Sequence, residues 1–245
     1  MRIAAISDIH GNLDALDAVL ADIARRNVDV TVNLGDIVSG HLQPRATAAR
    51  LMGLDLPTIR GNHERQLLGD PVRMGVSDAY ARAQLLQEQL AWIAALPATL
   101  RLRHDVLLVH GTPSSDLVYF LDSVTPQGSR AATPQEVAER AGTTDAALIL
   151  CGHTHMPRQV RLPDGRLIVN PGSVGLQAYD DDHVYPHLME NGTPHARYAI
   201  AEQGVDGAWT AQLHAVEYDW ETAARLALAN GRPDWALPLR AGRVG

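Results

Sequence analysis

The chain has a single cysteine in 245 residues, Cys151, so no disulfide can form within it. That agrees with a reducing, cytoplasmic compartment, and Cys151, ending an apolar run, is expected to be buried. No run of basic residues occurs: 21 arginine and lysine residues face 28 aspartates and glutamates, a formal net charge of −7. Stable tracking of a nucleic-acid backbone therefore lacks its electrostatic basis, although cleavage at an exposed end is not excluded. No apolar stretch has membrane-spanning length. The amino-terminal run "MRIAAISDIHGN" is interrupted by Asp8 and His10 and reads as a first strand rather than a signal segment. Aromatic residues make up 4% of the chain, and the scattered Trp92, Trp209, Trp220 and Trp235 are expected to pack the core or a carboxyl-terminal helix. No fixed-period repeat, low-complexity tract or linker divides the sequence, so residues 1–245 are expected to form one domain, with 46% hydrophobic residues to build its core.

What the sequence does contain is a recurring order of apolar run, polar cluster and helix. "RIAAIS" leads into "DIHGN", and Leu13, Leu16, Leu20 and Ile23 follow at helical spacing with Asn12 placed to cap. "VDVTVNL" (28–34) leads into "GDIVSG", and "LPTI" (56–59) into "RGNHER". Residues 77–95 predict one long helix ending before Pro97. Beyond it "DVLLVHGTP" (105–113) and "AALILCGHTH" (146–155) are again strands with polar ends, and "RQVRL" with "GRLIVNPGS" predicts a hairpin. A last strand pair is expected at 195–202 and 209–218, then a helix from about Trp220. The fold class from periodicity is α/β, whose ligands bind beyond the carboxyl ends of the strands.

Those strand ends carry Asp8 and His10, Asp36, Asn62 and His63, His110, and His153 and His155. Buried carboxylates and imidazoles are costly unless paired or bound to metal, so five such clusters in succession point to a shared ligand site. On extended backbone the rings of His153 and His155, two apart, would share a face and could converge; two solvated loop histidines are the alternative.

"SDIHGN", "LGDIV", "RGNHE", "LVHGTP" and "CGHTH", in this order, resemble the calcineurin-like metallophosphoesterase superfamily, and the later "NPGSVG" resembles its small bacterial phosphodiesterase branch. The resemblance implies a four-layer α/β/β/α sandwich of two mixed sheets flanked by helices. It implies two divalent ions, with Asp8, His10 and His155 on one, Asn62, His110 and His153 on the other, and Asp36 bridging. His63 would be the catalytic general acid or phosphate-positioning residue. The implied activity is metal-dependent hydrolysis of phosphodiester, or phosphomonoester, bonds by a metal-activated hydroxide. Mixed oxygen and nitrogen ligands suit Mn, Fe, Zn, Co or Ni, and the resemblance favours Mn or Fe with Zn. Substrates would be small phosphate esters or nucleotides, with no membrane partner; a homodimer is an expectation of the resemblance alone. A protein or nucleotide phosphomonoesterase is the rival activity, and a non-catalytic scaffold of the same fold the rival class.

Several residues are left with two readings. Asn170–Gly175 is read as a structural turn with Gly172 at positive φ, or as a turn near the metals. His41 follows Asp36 where related branches show "GYG" or "DRG"; here Ser39, Gly40 and His41 stand instead, and His41 is read as a surface residue before a substrate-facing one. Arg60 and Arg65 either neutralise phosphate or lie on the surface. A helical insertion is expected near 64–96 and a loop insertion near 178–195, where Asp180 to Asp182, His183, His187 and His195 suggest a solvated loop before a third metal site.

Overall fold

The first strand, β1 (Arg2–Ile6), is buried from Ile3 to Ile6, as a strand covered on both faces must be. The computed structural model describes residues 1–245. Helix α1 (Leu13–Ile23) starts where Asn12 Oδ1 accepts the Ala15 N–H at 3.2 Å, and lays Leu16, Val19 and Ile23 against the sheet. β2 (Val30–Asn33) returns parallel to β1, and α2 (Pro44–Met52) opens on a proline that needs no N–H partner. The expected third strand at 56–59 contributes one parallel bridge, Thr58 to Asn33.

Helix α3 (Asn62–Leu67) is followed by α4 (Val76–Gln84) and α5 (Gln87–Ala95). The single helix expected over 77–95 is thus two. The backbone opens to ψ 144° at Leu85 and 158° at Leu86, and the Leu86 N–H is taken by Gln89 Oε1 at 3.0 Å, starting α5 afresh. The break lets Leu85 and Leu90 both pack on the core, which a straight helix would turn apart.

Then come β3 (Leu100–Arg103), β4 (Val106–Leu108), β5 (Asp122–Thr125), β6 (Gly128–Ala131) and α6 (Pro134–Ala141). β7 (Leu148–Leu150), β8 (Arg158–Arg161) and β9 (Leu167–Asn170) follow, with β8 and β9 forming the expected hairpin. The stretch expected to be a loop carries a second hairpin, β10 (Ala178–Asp181) with β11 (His187–Glu190). The last strands are β12 (Ala196–Gln203) and β13 (Trp209–Val216), and the chain ends in α7 (Trp220–Ala229) and α8 (Ala236–Ala241).

Two mixed sheets result, in the orders β13-β12-β1-β2 and β3-β4-β7-β9-β8. They share one apolar cluster, in which Ile3, Val32 and Ala199 of the first meet Leu108, Leu148 and Val169 of the second. The outer face of the first sheet packs on α1, α2 and α5 through Ala4, Ile6, Leu16, Leu51 and Ile93; that of the second packs on α6 through Ile149, Ile168 and Val137. Cys151 lies in this last cluster and is buried, as expected. No helix is long and apolar enough to cross a membrane. The parallel pairs β1–β2 and β4–β7 point their polar clusters toward one end of the molecule.

Helix α1 is pinned to β12 by Asp22, which accepts from Tyr198 Oη at 2.5 Å, Arg26 Nε at 2.7 Å and Arg25 Nη2 at 3.0 Å. Burial alone would raise its pKa, but the tyrosine hydroxyl and Arg26 outweigh it and hold Asp22 at about 2. A carboxyl depressed in the folded state stabilises above its unfolded value, roughly 3.9, and loses that stabilisation as pH falls through the folded one. Asp22→Asn is therefore expected to lower the melting temperature at pH 7 by several degrees, from about 1.5–3 kcal/mol for hydrogen bonds to a charged group. The gap to wild type should close as melts are repeated from pH 4 toward pH 2.

Candidate metal centre

Where the chain leaves each strand it turns sharply. Asp8, His10, Asp36, His153 and His155 have φ of 55°, 50°, 54°, 73° and 58°, in the left-handed region that side-chain-bearing residues seldom occupy. Such conformations persist only where surrounding bonds impose them, and they concentrate at functional sites. Here the Ile9 and His10 N–H groups both donate to the Asp36 carbonyl, at 2.8 and 3.0 Å, tying the two loops together. Glu64, fully buried, accepts the N–H groups of Gly61, Asp36 and Ile37 at 2.9, 2.8 and 2.7 Å. Gly61 leaves no room for a side chain, since a Cβ there would lie 2.2 Å from Asp36 Oδ1. Glu64→Ala would leave three buried donors unpaired at about 1–3 kcal/mol each. We expect a melting temperature at least roughly 6 °C lower and weakened metal uptake, checked by calorimetry and metal analysis.

The loops bring two donor groups together. Asp8, His10 and His155 offer atoms within 4.8 Å of one another, and so do Asp36, His110 and His153. Asn62 joins the second group, its Oδ1 lying 3.1 Å from His110 Nε2, with Asp36 Oδ2 3.0 Å from the same nitrogen. His153 and His155 therefore serve different groups. Their backbone is left-handed at both positions, so the shared face expected of an extended segment does not apply.

The fit of this arrangement to cations can be tested on its hydrogen bonds. His10, His110 and His155 each donate Nδ1–H to a carbonyl, of Ser39, Leu34 and Leu176, at 2.8, 2.8 and 2.7 Å. Carbonyls only accept, so the neutral rings of His10 and His155 present Nε2 lone pairs inward. Burial would lower His110, but Asp36 outweighs it and raises it to about 10, so that its Nε2 holds a proton which a metal ion would displace. Nε2 of His10 and Nε2 of His155 then face each other at 3.0 Å, and His110 Nε2 faces two oxygen acceptors. Lone pairs directed at one another repel, and a positive ion between them removes the repulsion. Burial holds His10 at about 4 and His153 at about 3, keeping both neutral as ligands must be. Burial pushes Asp8 up to about 7. It would raise Asp36 too, but the positive charge drawn to His110 outweighs it and holds Asp36 well below the usual carboxylate range. The donor set fits divalent metal.

His63 stands beside these groups, its ring 5.5 Å from that of His10 and its backbone N–H donating to Asp36 Oδ1 at 3.0 Å. Its Nδ1 lies 2.9 Å from Asp78 Oδ1. Burial would lower its pKa, but Asp36 and Asp78 outweigh that and raise it to about 9. His63 lines a cavity of about 650 Å³ together with His10, Asp36, Asn62, His153 and His155, and Gln66, Ser77, Tyr119, Tyr179 and Trp235 also border it.

The calcineurin-like phosphoesterase superfamily domain matches residues 1–190. The chain belongs to this superfamily. A metallophosphoesterase from Sphaerobacter thermophilus has the same fold over 99% of this chain and all of its own, with a TM-score of 0.77 and 29% identity. An uncharacterized protein of Methanocaldococcus jannaschii is 26% identical over 95% of this chain and 94% of its own length. The superfamily uses divalent metals, and the two donor groups of this phosphoesterase-family chain lie where its motifs leave their strands.

Other expected residues fall differently. Arg65 is held by Asp116 at 2.6 and 2.9 Å, and neither it nor Arg60 lines the cavity. The cavity arginines are Arg140 and Arg232, which no motif announces. His41 is not a surface residue: it is buried and stacked on Tyr80 at 4.2 Å, because α4 folds back over its loop. Trp235 packs its edge toward His10 at 6.1 Å as well as serving the carboxyl-terminal core. Asn170–Gly175 is the structural turn, with Gly172 at φ 82°, and it also grips the site: Asn170 Nδ2 donates to the Gly152 carbonyl at 2.7 Å and Ser173 Oγ to that of Asp8 at 2.7 Å. The histidines at 178–195 do not form a third group; His187 bonds Tyr119 Oη at 3.0 Å, and His195 approaches Glu217.

Proposed function

We propose that this chain hydrolyses phosphate esters, phosphodiesters in preference, with two divalent cations. Asp8, His10 and His155 would hold one, Asn62, His110 and His153 the other, and Asp36 would bridge them. The observation that carries this is the convergence of two adjacent donor groups in which His10, His110 and His155 have their outer nitrogens engaged by carbonyls and the Nε2 lone pairs of His10 and His155 face each other. Cations held there would supply a nucleophilic water near neutral pH and would offset charge on the phosphoryl oxygens. The mixed ligands suit Mn, Fe, Zn, Co or Ni, and the resemblance favours Mn or Fe with Zn.

The chain's own residues supply the rest. His63, at the edge of the metal groups, protonates the departing alkoxide. Glu64 keeps the Asp36 loop in its left-handed turn. A diester is favoured over a monoester by the state of the cavity arginines. Arg140 is spent on the carbonyls of Phe120 and Asp122 and on Ser123 Oγ, and Arg232 on Asp234 and Ser77. No free guanidinium remains to grip the extra charge of a monoester dianion. The carboxyl-terminal residues beyond the matched 1–190 contribute Arg232 and Trp235 to the cavity, so we take 1–245 as one functional domain.

The test is hydrolysis of bis-p-nitrophenyl phosphate and p-nitrophenyl phosphate by metal-stripped protein, before and after reconstitution with Mn²⁺. Two ions per chain, metal-dependent turnover and a higher kcat/KM on the diester are expected. Two bound ions without turnover of either ester would favour the scaffold instead.

A further inference from the structure

Asp78 belongs to neither donor group, yet it is 2% exposed and sits beside the cavity, in the first turn of α4. A buried carboxylate is costly unless its oxygens are engaged. Its partners are two side chains from other segments, not the backbone of its own helix: Ser39 Oγ donates to Oδ1 at 2.6 Å, and His63 Nδ1 lies 2.9 Å from the same oxygen. Ser39 comes from the loop after Asp36, and His63 from α3, so Asp78 joins three pieces of the site at one atom. The neighbouring residue fixes the helix turn that carries it. Ser77 Oγ accepts from Arg232 Nη1 at 2.6 Å, and Arg232 is clamped by both oxygens of Asp234.

A carboxylate accepts only, so the His63 Nδ1 must carry a proton, and Nε2 is the atom left to act. We propose that Asp78 is the positioning residue that locks the His63 ring with Nε2 toward the leaving group, on the cavity wall formed by Gln66, Ser77 and Arg232. The inference rests on the phosphoesterase reading of the site. In the step it serves, the P–O bond to the leaving group breaks with its electron pair on oxygen, and that oxygen takes the Nε2 proton. Water supplies the hydroxyl that stays on phosphorus, and its second proton restores the ring. Throughout, Nδ1–H stays on Asp78, so the ring neither flips nor exchanges its proton at the wrong nitrogen.

The test compares Asp78→Ala, Asp78→Asn, His63→Ala and the double variant His63→Ala/Asp78→Ala in Mn²⁺-loaded protein. Two diesters of similar shape are used: bis-phenyl phosphate, whose leaving group needs protonation, and bis-p-nitrophenyl phosphate, whose leaving group needs it less. Asp78→Ala should lower kcat on the first by about 10- to 100-fold, part of the roughly 10²–10⁴ that a positioned acid supplies, with KM unchanged and a much smaller loss on the second. Asp78→Asn, which keeps an acceptor, should recover part of the loss. The double variant should be no slower than His63→Ala. Additive losses, or equal losses on both esters, would overturn the proposal. A second readout needs no turnover: imidazole ¹⁵N–¹H spectra of the metal-stripped chain should show His63 protonated at Nδ1 in wild type and Asp78→Asn, and not in a fixed Nδ1 state in Asp78→Ala. An unchanged His63 signal in a folded Asp78→Ala would overturn it as well. Wild type inactive on every ester would sink the phosphoesterase reading, while the spectra would still decide whether Asp78 fixes the His63 ring.

Discussion

Asp36→Asn is expected to bind at most one cation and to turn over bis-p-nitrophenyl phosphate at least about 10³-fold more slowly than wild type, the upper range for removing one preorganised charged group from a buried site. The substitution keeps the side chain's volume, so packing alone cannot account for such a loss. What changes is chemistry: a carboxylate that is 1% exposed and 3.0 Å from His110 Nε2 becomes a neutral amide with one donor face. In the proposed site both donor groups would lean on that charge, because it would offset the like charge of two adjacent cations. Metal content by plasma mass spectrometry and steady-state rates in the same preparation check the prediction. Two ions bound with near-wild-type turnover would remove Asp36 from the bridging position.

His63→Ala should behave differently. It should still bind two cations, keep KM within a few-fold, and lose about 10²–10⁴ in kcat, most on esters with poor leaving groups. The ring's side chain donates to no ligand of the first donor group, and the N–H that holds Asp36 at 3.0 Å belongs to the backbone, which alanine retains. Metal affinity measured by competition with a chelating dye separates this outcome from general damage. A loss of kcat accompanied by loss of one ion would make His63 a support of the metal loop rather than an acid.

How far the site is legible in the chain depends on how local each signal is. Asp8, His10, Asp36, Asn62, His110, His153 and His155 each follow an apolar run closely, so strand and polar end are written side by side. Asp78 offers no such cue. It lies in a helix whose sequence, "VSDAYARAQ", resembles any exposed amphipathic segment, and only the packing of α4 over the Asp36 loop makes it buried. Arg232 and Trp235 are further still, beyond two strands and a helix that say nothing about a cavity. The division of the helix expected over 77–95 has the same origin: the apolar spacing continues across Leu85 and Leu86, while a side-chain bond from Gln89 and the core on two sides decide the break. His41 reads as a surface loop residue because sequence does not record that Tyr80 covers it.

By itself the sequence determined the α/β pattern, the order of the polar strand ends and the superfamily, since periodicity and motif spacing are properties of neighbouring residues. Periodicity did not divide the donors into two groups, although the resemblance implied that division; tertiary structure shows the contacts that make it, and it alone decided which side chain meets Nδ1 of His63 and which arginines border the cavity. Those relations join residues far apart in the chain, His10 to His155 and His63 to Asp78 among them. They exist only once two sheets have shared a core and brought their strand ends to one side, because hydrogen bonds and ligand geometry act over about 3 Å of space and carry no trace in sequence separation.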